Sequence, residues 1–156
     1  MELDEFIDDL ITGVDGDSTI TNYCELHLTR DLTVKDSPPP GGLPGEDDCP
    51  CLFLTEDAKG AGSEKSQIKY FIGFGLCLYG ASLETRADDA EVQAMAKHLR
   101  KLSVLIKNAI VTAKPASFAM SYDITHDFVS LFPLFVGQLN FEFTEHARIG
   151  VNPMND

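Results

Sequence analysis

An alternation of large apolar side chains between residues 68 and 79 constrains the fold of this chain more than any other feature. The large apolar residues share one parity: Ile68, Tyr70, Ile72, Phe74, Leu76 and Leu78. The other parity is small or mixed and includes Gly73 and Gly75. Period-two alternation predicts a β-strand with one face in the core and one glycine-rich face on which another group packs closely.

The same stretch argues against two other structures. It carries Lys69 and is much shorter than the roughly 20 apolar residues that a membrane-spanning helix needs. Its glycines follow the pattern G-x-G-x4-G, which matches neither the dinucleotide nor the P-loop fingerprint. We therefore expect neither a membrane segment nor a phosphate-binding loop here.

Charge is the main compositional deviation of this 156-residue chain, whose length is that of one domain. Twelve basic and 25 acidic residues give a formal net charge of −13, which disfavours ordinary nucleic-acid binding. The acidic N-terminal sequence MELDEFIDDLI predicts no secretory signal and no targeting motif. We therefore expect the four cysteines to remain reduced thiols.

Two segments have helical periodicity. Residues 3–11 predict a short amphipathic helix with Gly13 as its stop. Residues 86–111 predict the long helix of the fold, with Thr85 and Asp88 as an N-terminal cap and Pro115 beyond its end. Acidic residues crowd its start and basic residues follow, as the helix dipole favours.

The remaining segments are strands and loops. Residues 19–30 alternate in a way that favours a strand, although a second helix fits the same residues. The Pro/Gly-rich segment 37–50 predicts a loop, and residues 51–55 predict a short strand before a polar connection over residues 56–66. Further strands are predicted from residue 118 onward, and residues 149–156 are predicted to be a flexible tail.

This element order predicts a single α+β domain. It has an antiparallel sheet of about four to five strands, on which the long helix and the short N-terminal helix pack.

Two groups of residues could form a metal-binding or a catalytic site. Cys24, His27, Cys49 and Cys51 make an acceptable zinc set, but buried free cysteines explain the same residues. A strand over residues 19–30 would also point Cys24 and His27 to opposite faces. His126 and Asp127 beside Ser130 suggest a hydrolase, but no nucleophile-elbow motif accompanies them and a polar loop is the simpler interpretation. We expect no enzyme activity, no cofactor and no metal.

Parts of this chain resemble the phage tail-completion family, which comprises tail terminators and head–tail joining proteins. The segment CPCLFLTED (49–57) resembles the strand that opens a hairpin in that family, and IKYFIGFGLCLYG (68–80) resembles the long second strand. DDAEVQAMAKHLRKL (88–102) resembles the helix that follows, and PLFVGQLNFEFTEHA (133–147) resembles the closing strand.

The resemblance implies a structural virion protein, assembled in the host cytoplasm, that forms a ring, commonly a hexamer in that family. Such a ring terminates the tail tube and joins it to neck or connector proteins, while DNA passes its acidic lumen without specific binding. The implied contacts between copies involve the basic helix face and the 56–66 connection: Lys97, Arg100, Lys101, Lys107, Glu56, Asp57, Lys59, Glu64 and Lys65. An acidic inhibitor that mimics DNA is an alternative that explains the charge equally well.

Overall fold

The alternating segment forms β4, the central strand of a six-stranded sheet, in a computed structural model that describes residues 2–55, 58–62, 67–80 and 89–146. The strands of the described residues are β1 (Thr33–Lys35), β2 (Cys51–Leu54), β3 (Lys59–Gly62), β4 (Gln67–Tyr79), β5 (Ala119–Asp127) and β6 (Leu134–His146). The helices are α1 (Leu3–Asp15), α2 (Ser18–His27) and α3 (Asp89–Ala113). The predicted α+β class is confirmed.

The sheet has the order β1-β2-β4-β6-β5, with β3 paired to β4. β4 pairs with β6 along its whole length, from Gln67↔His146 to Tyr79↔Leu134. The β2, β3, β5 and β6 pairings are antiparallel, whereas β1 runs parallel to β2, so the sheet is mixed. β5 therefore lies at one edge of the sheet and β1 at the other.

The three helices contribute to one core on a single face of the sheet. Phe6 of α1 lies at its centre, with its ring centroid 4.8 to 5.0 Å from the rings of Tyr70, Phe118 and Phe143. Tilted and edge-on contacts at these distances add to the free energy gained from burying the aromatic area. This packing fixes α1 and the sheet relative to each other.

The glycine-rich face of β4 is closely packed, as predicted. A Cβ atom at Gly75 would lie 2.7 Å from Cζ of Phe53, because that ring lies directly above the glycine. Gly73 is approached by Thr55, whose hydroxyl donates to the Gly73 carbonyl oxygen at 3.0 Å. Each glycine is needed because a neighbouring side chain occupies the space of its missing Cβ.

Of the two structures that fitted residues 19–30, the favoured strand is wrong and the second helix is correct, since this segment contains α2. Asp17 caps the helix by accepting a hydrogen bond from the Ile20 amide at 3.0 Å. Ile20 and Cys24, one helical turn apart, enter the core. Leu26, which the alternating pattern placed with them, is 76% exposed.

Three boundaries also differ from prediction. α1 continues through Gly13 to Asp15, so Gly13 is not the stop, and Gly16 occupies the C-terminal cap. α3 ends at Ala113, two residues beyond the predicted end; its predicted start and the Thr85–Asp88 cap lie outside the described residues. The polar connection contains strand β3, and the tail at 149–156 lies outside the described residues.

Candidate assembly interface

Helix α3 lies between the other two helices on one flank and strand β5 on the other. On the first flank, a methyl group at Gly13 of α1 would overlap Cβ of Ala113, so the two helices touch closely. Tyr23 of α2 contacts His98, with 2.7 Å between its hydroxyl oxygen and Nδ1. The opposite flank of α3 therefore faces β5 and solvent.

Two cations of α3 cover aromatic rings on the β5 flank. The Arg100 guanidinium lies 5.8 Å from the ring centroid of Phe128, just beyond the end of β5. Nζ of Lys107 lies 5.4 Å from the ring centroid of Tyr122 in β5. These cation–π contacts orient both basic side chains along the edge of the sheet.

Apolar side chains are exposed beside these cations. Val104 is 44% exposed, Val111 is 43% exposed and Tyr122 is 54% exposed. We call the set Arg100, Val104, Lys107, Val111 and Tyr122 the α3–β5 patch. Aromatic and arginine side chains are enriched in protein–protein interfaces, so this composition is typical of a contact surface.

The edge of β5 beside this patch is regular. β5 pairs with β6 without a bulge from Ala119↔Thr144 to Asp127↔Val136, and its sequence contains neither lysine nor proline. Within the described residues β5 has no second partner strand. Natural proteins usually protect an edge strand of this length, so its free side is consistent with a contact between molecules.

The two flanks of the helical layer carry opposite charge. Residues 2–29, which include α1 and α2, contain eight carboxylate side chains and no lysine or arginine. Residues 92–114, which include most of α3, contain five lysine or arginine residues and no carboxylate, whereas α3 begins with Asp89 and Glu91 and β5 carries Asp123 and Asp127. Among the described residues, neither Arg100 nor Lys107 belongs to the salt bridges Arg30–Asp47 and Lys69–Glu142.

The residues predicted for the contact are distributed over both faces of the molecule. Lys97, Arg100 and Lys101 are exposed on α3, and Lys107 is half-buried there. Lys59 instead lies on β3 above the ring of Phe71, on the face of the sheet away from the helices. The remaining four lie outside the described residues: Glu56, Asp57, Glu64 and Lys65.

The candidate zinc set is not brought together. Cys24 is buried in the main core and His27 is exposed on α2, whereas Cys49 and Cys51 are buried in a second cluster with Cys77. Over the part of the chain that the structure describes, no group of three or more His, Cys, Asp or Glu residues is placed to hold a metal ion.

The second cluster contains three buried free thiols together with Leu134. Cys51 lies directly opposite Cys77 in the β2–β4 register. Hydrogen bonds from Cys49 and Cys77 lower the pKa of Cys51, and the same bonds together with burial raise the pKa of the two donors. All four cysteines are free and buried in the structure.

His126, Asp127 and Ser130 do not form a catalytic triad. Oδ1 of Asp127 accepts the backbone amides of Val129 and Ser130, each at 2.9 Å, which makes a turn after β5 and lowers the pKa of Asp127. His126 contacts the buried Ser103 instead, with 3.1 Å between Nε2 and Oγ. Because Ser103 Oγ donates to the Leu99 carbonyl oxygen, His126 is the donor in their contact.

Sequence reasoning found the basic residues of α3 but missed the apolar part of the patch. Val104 and Val111 lie outside the buried stripe of the helix and are seven residues apart, which places them on the same exposed side. That spacing was readable from the sequence. The contribution of Tyr122 was not readable, because it depends on how α3 lies across β5.

No protein-family model and no curated protein matches this chain. None of the described helices combines the length and apolar character needed to cross a membrane.

Proposed function

We propose that this protein assembles as a ring that terminates the tail tube of a bacteriophage and joins it to the neck. The opposite charge on the two flanks of the helical layer carries this proposal. The resemblance of the strand and helix order to the tail-completion family supplies the biological setting.

The charged flanks favour a contact of the head-to-tail type. Gly13 and Ala113 hold α1 on one side of α3, and Lys107 and Tyr122 mark the other side. The acidic and basic surfaces therefore point away from each other within one molecule and meet between two molecules. Such heterologous contacts close into a ring when the rotation between neighbours divides a full turn, and a hexamer is the size we propose.

The acidic excess has a use in such a ring. One contact per copy involves a few charges, whereas the chain carries a net charge of −13. Carboxylates that remain outside the contacts would repel the phosphates of DNA, so DNA passes the lumen without binding. In this proposal the protein is a structural part of the virion, assembled in the host cytoplasm, with tail-tube and neck proteins as partners and without enzyme activity.

The proposal is tested in two steps. Light scattering over a concentration series gives the mass of the particle, and negative-stain images show whether it is a closed ring. Tail tubes polymerised from the tube protein of the same phage are then incubated with gold-labelled protein. We expect label at one end of the tubes; label along the walls or none at all would refute the terminator function.

An acidic inhibitor that mimics DNA is a second candidate, favoured by one observation on α1. The carboxylates of Asp4, Asp8 and Asp15 are exposed on this helix, and no basic side chain lies between them. A mimic would remain monomeric and would displace a fluorescent DNA duplex from a host DNA-binding protein. A ring-forming protein that leaves the duplex bound would exclude this alternative.

A further inference from the structure

We infer that the α3–β5 patch binds helix α1 of a second copy of this chain, with the two helices antiparallel. The inference rests on the proposed ring and specifies its contact. The partner segment is the acidic side of α1 that faces away from its own α3, comprising Asp8, Ile11 and Asp15.

The placement of the two surfaces follows from helix geometry. At about 100° per residue, Ile11 lies about 200° around α1 from Gly13, which contacts α3 of the same molecule. Val104 lies about 180° around α3 from Ala113, which receives that contact. Asp8, Asp15 and Val104 therefore point away from the contact between α1 and α3, while Ile11 packs partly against the core of its own molecule and is partly exposed.

The order of side chains on the two helices is complementary. Along α1, Asp8 is followed after three residues by Ile11 and after four more by Asp15. Read in the reverse direction along α3, Lys107 is followed after three residues by Val104 and after four more by Arg100. An antiparallel pair thus places each carboxylate opposite a cation and the isoleucine opposite the valine.

The spacing of the two carboxylates along α1 equals the spacing of the two cations along α3. Asp8 and Asp15 are seven residues apart, as are Arg100 and Lys107, so each pair spans about 10.5 Å along its helix. A parallel arrangement would pair the charges but would shift the apolar residues against each other by one position. The antiparallel arrangement is the one that matches both the charge and the apolar pattern.

The other exposed side chains of the region fit this arrangement. Tyr122 and Val111 extend the apolar part of the patch beside Val104 and Lys107. Asp8, Asp15 and Arg100 are exposed, whereas Ile11 and Lys107 are half-buried in the single molecule. Apolar contact at the centre with charges around it is the usual anatomy of a protein–protein interface.

Charge reversal tests this contact. The patch variant carries Arg100→Glu and Lys107→Glu, and the α1 variant carries Asp8→Lys and Asp15→Lys. Each variant alone opposes like charges at the contact, so we expect its association to be at least about tenfold weaker in light scattering. Far-UV circular dichroism verifies that each variant is folded.

Recombination of the variants supplies the decisive measurement. In an equimolar mixture, α1 of each variant meets the patch of the other with opposite charge, so we expect rings of alternating variants. One chain that carries all four substitutions is expected to associate by itself. A matched control for the α1 variant, Asp36→Lys with Glu46→Lys, makes the same change of +4 in net charge on exposed residues outside the contact and is expected to associate like the unmodified protein.

A variant without a charge change tests the apolar part. Val104→Ser is expected to weaken association by about tenfold while leaving the unfolding temperature nearly unchanged, because the valine is exposed in the single molecule.

The inference is wrong if the mixture stays as weak as its components, if the control loses as much association, or if the unmodified protein is a monomer at all concentrations. Restored association without binding to tube ends would uphold the contact and refute the terminator function. Tube-end binding that charge reversal does not affect would refute the contact alone.

Discussion

Replacing Gly13 by alanine tests how closely α1 packs on α3, on which the separation of the two charged flanks depends. In an unobstructed helix the change would stabilise by about 0.8 to 1.0 kcal/mol, because glycine is a poor helix former. Here the new methyl group would overlap Cβ of Ala113, which cannot rotate away. Overpacking of this kind costs typically about 1 to 3 kcal/mol, so we expect a net loss of about 1 kcal/mol.

The Ala113→Gly background reverses the expected sign. With that methyl group removed, the overlap disappears and Gly13→Ala is expected to stabilise by about 1 kcal/mol. Urea unfolding followed by far-UV circular dichroism gives the four free energies, because the chain has no tryptophan for fluorescence. Thr12→Ala, on the exposed side of α1, is the control and should stabilise slightly in both backgrounds. Stabilisation by Gly13→Ala in both backgrounds would show that the two helices do not touch here.

Two further predictions concern the sheet and the histidines. Gly75→Ala is expected to cost about 1 to 3 kcal/mol in urea unfolding because of the ring of Phe53, and much less in a Phe53→Leu background; equal costs would contradict the close packing. Burial lowers the pKa of both His98 and His126, and nearby positive charge adds to the effect. The unfolded chain therefore binds more protons below about pH 6.5, so the unfolding temperature should fall as the pH is lowered from 7.5 to 5.5. His98→Gln should reduce that dependence, and an unchanged pH profile would show that His98 does not contribute.

The sequence predicted the elements whose pattern reflects burial directly. β4 and α3 were found because their apolar residues repeat with the period of a strand or a helix over many residues. α2 was assigned wrongly because its apolar residues at positions 20, 24, 26 and 28 also alternate. Two features of the structure distinguish the helix from the strand: the capping hydrogen bond of Asp17 and the exposure of Leu26. The exposure of Leu26 depends on tertiary packing.

The α3–β5 patch and the cysteine cluster were also predictable only in part, because they depend on tertiary structure. The basic residues of α3 stand out in an acidic chain, so charge alone identified them. The grouping of Cys77 with Cys51 depends on the register between β2 and β4, and the exposure of Tyr122 depends on the position of α3 over β5. Both are properties of pairing between distant segments, which local periodicity does not contain.

The distribution of charge over the surface distinguishes the two functional hypotheses better than the net charge of the chain does. A DNA mimic needs carboxylates on one surface and has no use for a basic patch with exposed valine and tyrosine side chains on the far side of the same helical layer. A ring uses both surfaces, since every copy presents one to each neighbour. The α3–β5 patch thus favours assembly over mimicry, because an acidic helix that covered it would bury its exposed apolar groups and place carboxylates beside Arg100 and Lys107.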